Sequence, residues 1–104
     1  MKKNILSNLP SAKQKEVFQT LFKNKKIKIE RITSLGQTTE KGEWLKEKTD
    51  EWVILLKSKA KLKFKKKSIN LKEGDYLFIP KNTLHRVEWT SPKKKCVWLA
   101  VHIK

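Results

Sequence analysis

Short runs of apolar residues, some alternating with polar ones and some continuous, dominate this chain and predict β-strands. Residues 27–30 alternate isoleucine with charged residues, Ile32 breaks this alternation and indicates a bend, and residues 57–65 alternate lysine with smaller or apolar side chains. Alternation of this kind is typical of strands with one buried and one solvated face. Residues 52–56 are apolar throughout, which predicts a strand covered on both faces. Further short strands are expected at residues 69–71, 76–79, 85–89 and 96–103.

These strands, at least six in number and separated by polar turns, predict an all-β fold. Strands spaced in this way favour a small antiparallel β-barrel or sandwich over alternating strands and helices. A chain of 104 residues buries one core and is too short for a second, so we expect a single domain over residues 10–104. Residues 1–9 are expected to form a loose amino-terminal leader.

One stretch predicts a helix instead. Its apolar residues recur at i, i+1, i+4 and i+5, as they do on one stripe of a helix. They are Val17, Phe18, Leu21 and Phe22. We therefore expect a short amino-terminal helix over residues 10–23, which would close one end of the barrel or pack on a sheet.

The continuous apolar strand also predicts an interface. If Glu51, Val53 and Leu55 point into the barrel, the alternate residues point outward because successive side chains in a strand face opposite sides. The outward residues are then Trp52, Ile54 and Leu56, which need cover from the helix or from a second subunit. A homodimer is the expected assembly.

Charge narrows the range of partners. The formal net charge is +16, and lysine supplies all but two of the 26 basic residues, which are spread along the whole chain. Nucleic-acid readers favour arginine and interleaved aromatic residues, so we interpret the lysines as a solvated surface and expect no specific nucleic-acid partner. A surface of this charge would attract anionic small molecules.

Three features of the sequence bear on the cellular location of the protein. Its apolar runs are far shorter than the roughly 20 residues that cross a bilayer, so no membrane association is expected. The single cysteine, Cys96, cannot form an internal disulfide, and the apolar stretch after Met1 is too short for a signal sequence. These features together predict a cytoplasmic protein.

Two motifs resemble those of the cupins, a family of small β-barrel proteins. Gly74, Pro80 and His85 match the spacing of the second cupin motif, with Asn82 in place of its last glycine. Asn is the residue that best replaces glycine at positive φ, so we expect this turn to be kept. Residues 50–64 resemble the first motif from Glu51 onward, with Ser58 where that motif has a glycine. The chain as a whole, over about residues 4–103, is similar to short single-domain cupins of unassigned function, which implies a double-stranded β-helix, or jelly roll.

The resemblance also implies a site. Metal-binding cupins carry His-x-His ending four residues before the glutamate, and here those places hold Leu45 and Glu47. Of the usual ligands Glu51 and His85 remain, while His102 and Glu47 are candidate replacements. Imidazole and carboxylate together suit iron, manganese, zinc or nickel. Trp44 and Trp98 are the tryptophans expected in a ligand pocket.

Three interpretations of function follow from these residues. The first is a cupin that binds a divalent metal ion and a small molecule, anionic molecules included. The second is a metal-free barrel that carries or senses a small ligand through Glu51, His85 and nearby tryptophans. The third, a basic nucleic-acid-binding protein, has only the net charge in its favour.

Overall fold

The computed structural model describes all 104 residues and is built of eight β-strands. It contains no helix that is long and apolar enough to cross a membrane. In chain order the strands are β1 (Val17–Lys23), β2 (Ile27–Ser34), β3 (Asp50–Lys57), β4 (Ala60–Phe64), β5 (Ser68–Leu71), β6 (Tyr76–Ile79), β7 (His85–Thr90) and β8 (Cys96–Ile103).

The strands form two antiparallel sheets that face one another. The larger sheet has the order β1-β2-β8-β3-β6 and the smaller has the order β5-β4-β7. Because strands adjacent in sequence cross between the sheets, β3 to β4 and β6 to β7, the chain winds as a jelly roll. The predicted all-β antiparallel fold is confirmed.

The predicted amino-terminal helix is wrong. Residues 17–23 form β1, which pairs with β2 from Val17 opposite Thr33 to Lys23 opposite Lys28. A bulge between Thr20 and Phe22 shifts the register, so that apolar residues fall on both faces and mimic a helical spacing. The β-branched and aromatic residues of this stretch favour a strand once β2 offers backbone hydrogen bonds.

Part of the expected leader is held in place. The buried guanidinium of Arg31 donates to the carbonyl oxygens of Ile5 and Ser7, both at 2.9 Å, and to Gln19 Oε1 at 2.8 Å. Residues 5–7 are therefore fixed against the outer side of β1 and β2. The same contacts keep Arg31 away from the interior of the barrel.

The space between the sheets has a packed part and an open part. Nine buried residues form the core, namely Val53, Leu55, Ala60, Leu62, Leu71, Ile79, Cys96, Trp98 and Ala100. Along β3 the inward side chains run from Leu55, which is fully buried, through Val53 to Glu51. Along this strand the interior thus changes from closely packed apolar side chains to a cavity whose lining includes polar side chains.

Both motif turns that lack their usual glycine keep the backbone conformation that glycine favours. Asn82 has a φ of 63° and Ser58 a φ of 74°. The Ser58 side chain donates to the carbonyl oxygen of Lys94 at 3.1 Å, and its backbone N–H donates to Glu73 at 3.0 Å. The expectation that Asn82 preserves its turn is confirmed, and the turn places His85 at the start of β7.

The outward face of the larger sheet carries a row of apolar residues across all five strands. Strand register aligns them in the order Phe22, Ile29, Val101, Trp52 and Phe78. Phe22 and Phe78, at the two ends, are 53% and 52% exposed. No segment of this chain covers those two ends.

Candidate functional site

A cavity of about 410 Å³ lies between the two sheets at the polar end of the core. Its apolar wall includes Phe18, Ile32, Val53, Leu62, Ile79, Val87 and Trp98. Its polar wall includes both histidines of the chain, His85 and His102, and six glutamates. The glutamates are Glu16, Glu30, Glu40, Glu43, Glu47 and Glu51.

Glu51 lies at the start of β3, between His102 on β8 and Ile79 on β6. Its carboxylate has no hydrogen-bond partner in the protein. Burial raises its pKa, as do the neighbouring charges of Glu47 and Glu30, and the attraction of His102 and His85 offsets this only in part. A carboxylate in this state favours a bound proton or a bound cation.

His85 is the first residue of β7 and is 4% exposed. Its backbone pairs with Leu45, through N–H to O distances of 2.7 and 3.1 Å. Its ring nitrogen Nδ1 donates to the carbonyl oxygen of Thr83 at 2.9 Å, because a carbonyl can only accept. In the neutral ring Nε2 is therefore a hydrogen-bond acceptor, and it has no partner in the protein.

His102 and Glu30 form an ion pair in the cavity wall, with 2.8 Å between Nε2 and Oε1. Lys28 Nζ lies 3.6 Å from the other oxygen of Glu30. The hydrogen bond between the pair lowers the pKa of Glu30 and raises the pKa of His102. His102 is therefore engaged with a carboxylate within the protein.

Glu16 directly precedes β1, and its side chain lies beside Ser34, the last residue of β2. Its carboxylate accepts from Ser34 Oγ at 3.4 Å, and burial raises its pKa despite this hydrogen bond. Ser34 and Glu30 are four residues apart on one strand, which corresponds to about 13 Å. The cavity thus has one carboxylate beside the middle of β2, the buried Glu30, and a half-buried one, Glu16, beside its carboxyl end.

The remaining three glutamates belong to the loop that covers the cavity. They are Glu40, Glu43 and Glu47, and all three are exposed. Arg86 fixes this loop by donating to the carbonyl oxygens of residues 39, 40 and 43, while its own ion pair is with Glu88. Neither Arg86 nor Arg31 contacts Glu51.

The cavity and the exterior have opposite charge. The lining holds six of the ten acidic residues of the chain and none of its 26 lysines and arginines. The +16 net charge is therefore carried outside the cavity. This distribution opposes the expectation that the ligand is anionic.

The candidate site residues separate into two groups. Glu51, His85, His102, Glu47 and Trp98 all line the cavity. Trp44 does not, because its ring lies under Lys65 Nζ, 4.4 Å from the ring centroid, on the surface. The expected role of Trp44 in a ligand pocket is not supported by the lining of this cavity.

Sequence reasoning missed four of the cavity glutamates. Glu30 could have been predicted, because it is two residues from Ile32 on the same strand and both side chains point inward. Glu16 lay in the wrongly predicted helix. Glu40 and Glu43 belong to a polar loop without periodicity.

The candidate metal ligands do not form a metal centre in this arrangement. No three side chains of His, Cys, Asp or Glu meet at a point where they could hold a metal ion. The place of one usual histidine is taken by Leu45, and His102 Nε2 is occupied by Glu30. The donor set of Glu51, His85, His102 and Glu47 therefore does not fit the metal that the resemblance implies.

A family model described as a cupin domain matches residues 34–102 of the chain. The chain belongs to the cupin family. A protein of Ralstonia eutropha JMP134, provisionally named a mannose-6-phosphate isomerase, is 35% identical to this cupin. The similarity covers all of this chain and 98% of that one, with a TM-score of 0.94.

More distant structures share the fold alone. A cupin superfamily protein of Desulfitobacterium hafniense DCB-2 is 16% identical, with 91% of this chain and 83% of that one covered and a TM-score of 0.78. The EutQ protein of Clostridium difficile is 13% identical, with 85% and 67% covered and a TM-score of 0.68. No curated protein matches the sequence.

Proposed function

We propose that this cupin binds a small organic molecule in the cavity between its sheets, without a metal ion. The observation that carries the proposal is a pair of polar groups without protein partners, the Glu51 carboxylate and His85 Nε2, in one largely apolar cavity. A volume of about 410 Å³ is within the range of small-molecule sites. Apolar walls with a few orienting polar groups are typical of such sites.

A resident metal ion is the weaker alternative. It would need Glu51 and His85 to be joined by His102 or Glu47, and His102 would first have to leave Glu30. Breaking a hydrogen-bonded charge pair leaves a buried carboxylate uncompensated, which costs several kcal/mol. Elemental analysis of untagged protein checks this alternative, since stoichiometric iron, manganese, zinc or nickel would establish it.

The name of the Ralstonia protein suggests a phosphosugar as ligand, and the charge of the cavity argues against carrying this over. A phosphate monoester has a charge of about −1.5 to −2 at neutral pH. No lysine or arginine lines the cavity to receive it. Mannose 6-phosphate is therefore an informative negative control.

Mapping of binding by nuclear magnetic resonance tests the proposal. A library of small fragments of mixed charge is added to isotope-labelled protein, and shifted backbone signals are located on the fold. Binding in the cavity should move signals of Val53, His85, Val87 and Trp98. Fragments that shift only other surfaces, or none that bind, would refute the proposal.

We further infer that this cupin forms a homodimer through the outward face of its larger sheet. The apolar row across five strands supports a self-complementary contact, since its two ends are half exposed. Sedimentation velocity at micromolar concentration and raised ionic strength should detect a dimer. Phe78→Lys should produce monomers, whereas Trp89→Lys on the smaller sheet should not. A monomeric wild type would contradict this assembly.

A further inference from the structure

Most of the negative charge in the cavity has no cationic partner. Of the six lining carboxylates only Glu30 is ion-paired, with His102 and Lys28. Glu40, Glu43 and Glu47 are exposed and hydrated, whereas Glu16 and Glu51 are half-buried beside apolar walls and lose part of their hydration. A cation placed beside either of these two carboxylates is favoured. The cavity therefore favours cationic ligands, although the net charge of the whole protein is +16.

A second, independent observation is the state of His85. This side chain is more than nine-tenths buried, its Nδ1 is committed to Thr83, and its Nε2 is left without a partner in the cavity wall. Both Nε2 of the neutral ring and the Glu51 carboxylate accept hydrogen bonds. A ligand that satisfies them must donate, and an ammonium group offers three donors with no acceptor.

The arrangement of the lining residues along β2 indicates how long a bound ligand is. On β2 the inward residues run from Glu30 through Ile32 to Ser34, where Glu16 accepts a hydrogen bond. Glu51 pairs in strand register with His102, whose ring contacts Glu30, so Glu51 belongs to the Glu30 end. The β2 residues at these two ends, Glu30 and Ser34, are about 13 Å apart along the strand. Between them Phe18 and Trp98 lie on either side of Ile32 in strand register, so the middle of the cavity is apolar.

These features together describe a molecule with positive charge at its ends and hydrocarbon between them. The geometry points to a linear aliphatic diamine or polyamine as the ligand of this cavity, an inference that rests on the proposed function. One ammonium group binds Glu51 and His85, and the other lies by Glu16. A bare metal ion would use neither the length nor the apolar middle of the site.

Calorimetric titration of the full chain with three matched eight-carbon probes tests the inference. The probes are octanediamine, octanediol and octanedioate, which share one length and differ in charge. Octanediamine is expected to bind saturably, one per chain, and more weakly as salt rises. The diol and the dioate should bind at least about tenfold more weakly.

Two variants test which carboxylates bind the ammonium groups of octanediamine. Glu51→Gln and Glu16→Gln should each weaken octanediamine binding by about tenfold or more, which corresponds to about 1.4 kcal/mol. Asp75→Asn is the matched control, because it removes the same charge from a turn outside the cavity lining and keeps an oxygen for the N–H of Lys72. Its affinity should equal that of the wild type.

The outcomes separate this inference from the proposed function. If the diol or dioate shifts cavity signals and binds as well as the diamine, the ligand is small and organic but not cationic, and the inference fails alone. If the diamine binds equally well to Glu51→Gln, Glu16→Gln and wild type, it binds elsewhere and the inference is overturned. If no probe binds, the inference fails, and fragment mapping decides separately whether the cavity binds anything.

Discussion

Glu51 should reduce the stability of this cupin when no ligand is bound. Its carboxylate is without a protein partner, and its raised pKa means that burial and like charges outweigh the attraction of the two histidines. Glutamine has nearly the same shape and no charge. Glu51→Gln is therefore expected to stabilise the ligand-free protein at neutral pH.

The size of the gain follows from removing a negative charge from a half-buried side chain that has no protein partner. Loss of hydration without a partner costs about 1–3 kcal/mol for a neutral polar group and more for a charged one, so glutamine removes only the excess that is due to the charge. We expect this excess, and therefore the gain, to be about 1–2 kcal/mol. In a domain of this size each kcal/mol raises the melting temperature by roughly 4 °C. The gain is measurable by urea denaturation and by thermal melting.

The stability difference between Glu51→Gln and wild type should depend on pH in a defined direction. A carboxyl group whose folded pKa is raised is protonated in both states below its ordinary value of about 4.5, so near pH 4 wild type and variant should differ little. The difference should grow as pH rises from there through the folded pKa of Glu51, and then remain constant.

Glu40→Gln is the control for this experiment. It removes the same charge from an exposed side chain of the same cavity, so its stability should change by less than about 0.5 kcal/mol. A Glu51→Gln protein that is no more stable than wild type at neutral pH would refute the reasoning. An equal gain at both pH values would refute it as well.

Three further outcomes are expected. Because the Glu30 pKa is lowered and the His102 pKa is raised, their pair should stabilise the fold most between the ordinary values of about 4.5 and 6.5. That contribution should be lost as pH falls through the folded pKa of Glu30 or rises through that of His102, and urea titrations of wild type and Glu30→Gln across this range should converge outside it. Asn82→Ala should cost about 1 kcal/mol, since alanine is strained at a φ of 63°, while Asn82→Gly should cost nothing in the same denaturation assay. Leu55→Ala should cost about 2–5 kcal/mol by chemical denaturation, because that side chain is completely buried in the core, and a smaller loss would mean that the core is loosely packed.

The sequence predicted β2, β3 and β4 correctly as strands but predicted β1 wrongly as a helix. Alternation along β4 identified that strand, because a strand with one face on the core must place apolar residues there with a period of two. Alternation also identified β2, although Ile29 of its alternating isoleucines belongs to the outward apolar row, and the continuous apolar run identified β3. In β1 a bulge between Thr20 and Phe22 breaks that period. Local spacing therefore resembled a helix, and only pairing with β2 decides between the two conformations.

The candidate site shows the same division. The resemblance to the two cupin motifs implied that Glu51 and His85 share one site, and both side chains line the cavity. The partners of these residues depend on the packing of strands far apart in sequence. His102 meets Glu30 across 72 positions, and Glu16 reaches the cavity only because β1 adds to the edge of the sheet.

The amino-acid sequence by itself thus determined most of the strands from β2 onward and the turn at Asn82, because each depends on neighbours within a few residues. It also set the total charge at +16, but not where that charge lies. Only the tertiary structure decided that the lysines remain outside and that six glutamates line one cavity. Which side of a sheet a residue faces depends on register and on the partner sheet, and both are long-range properties of the fold.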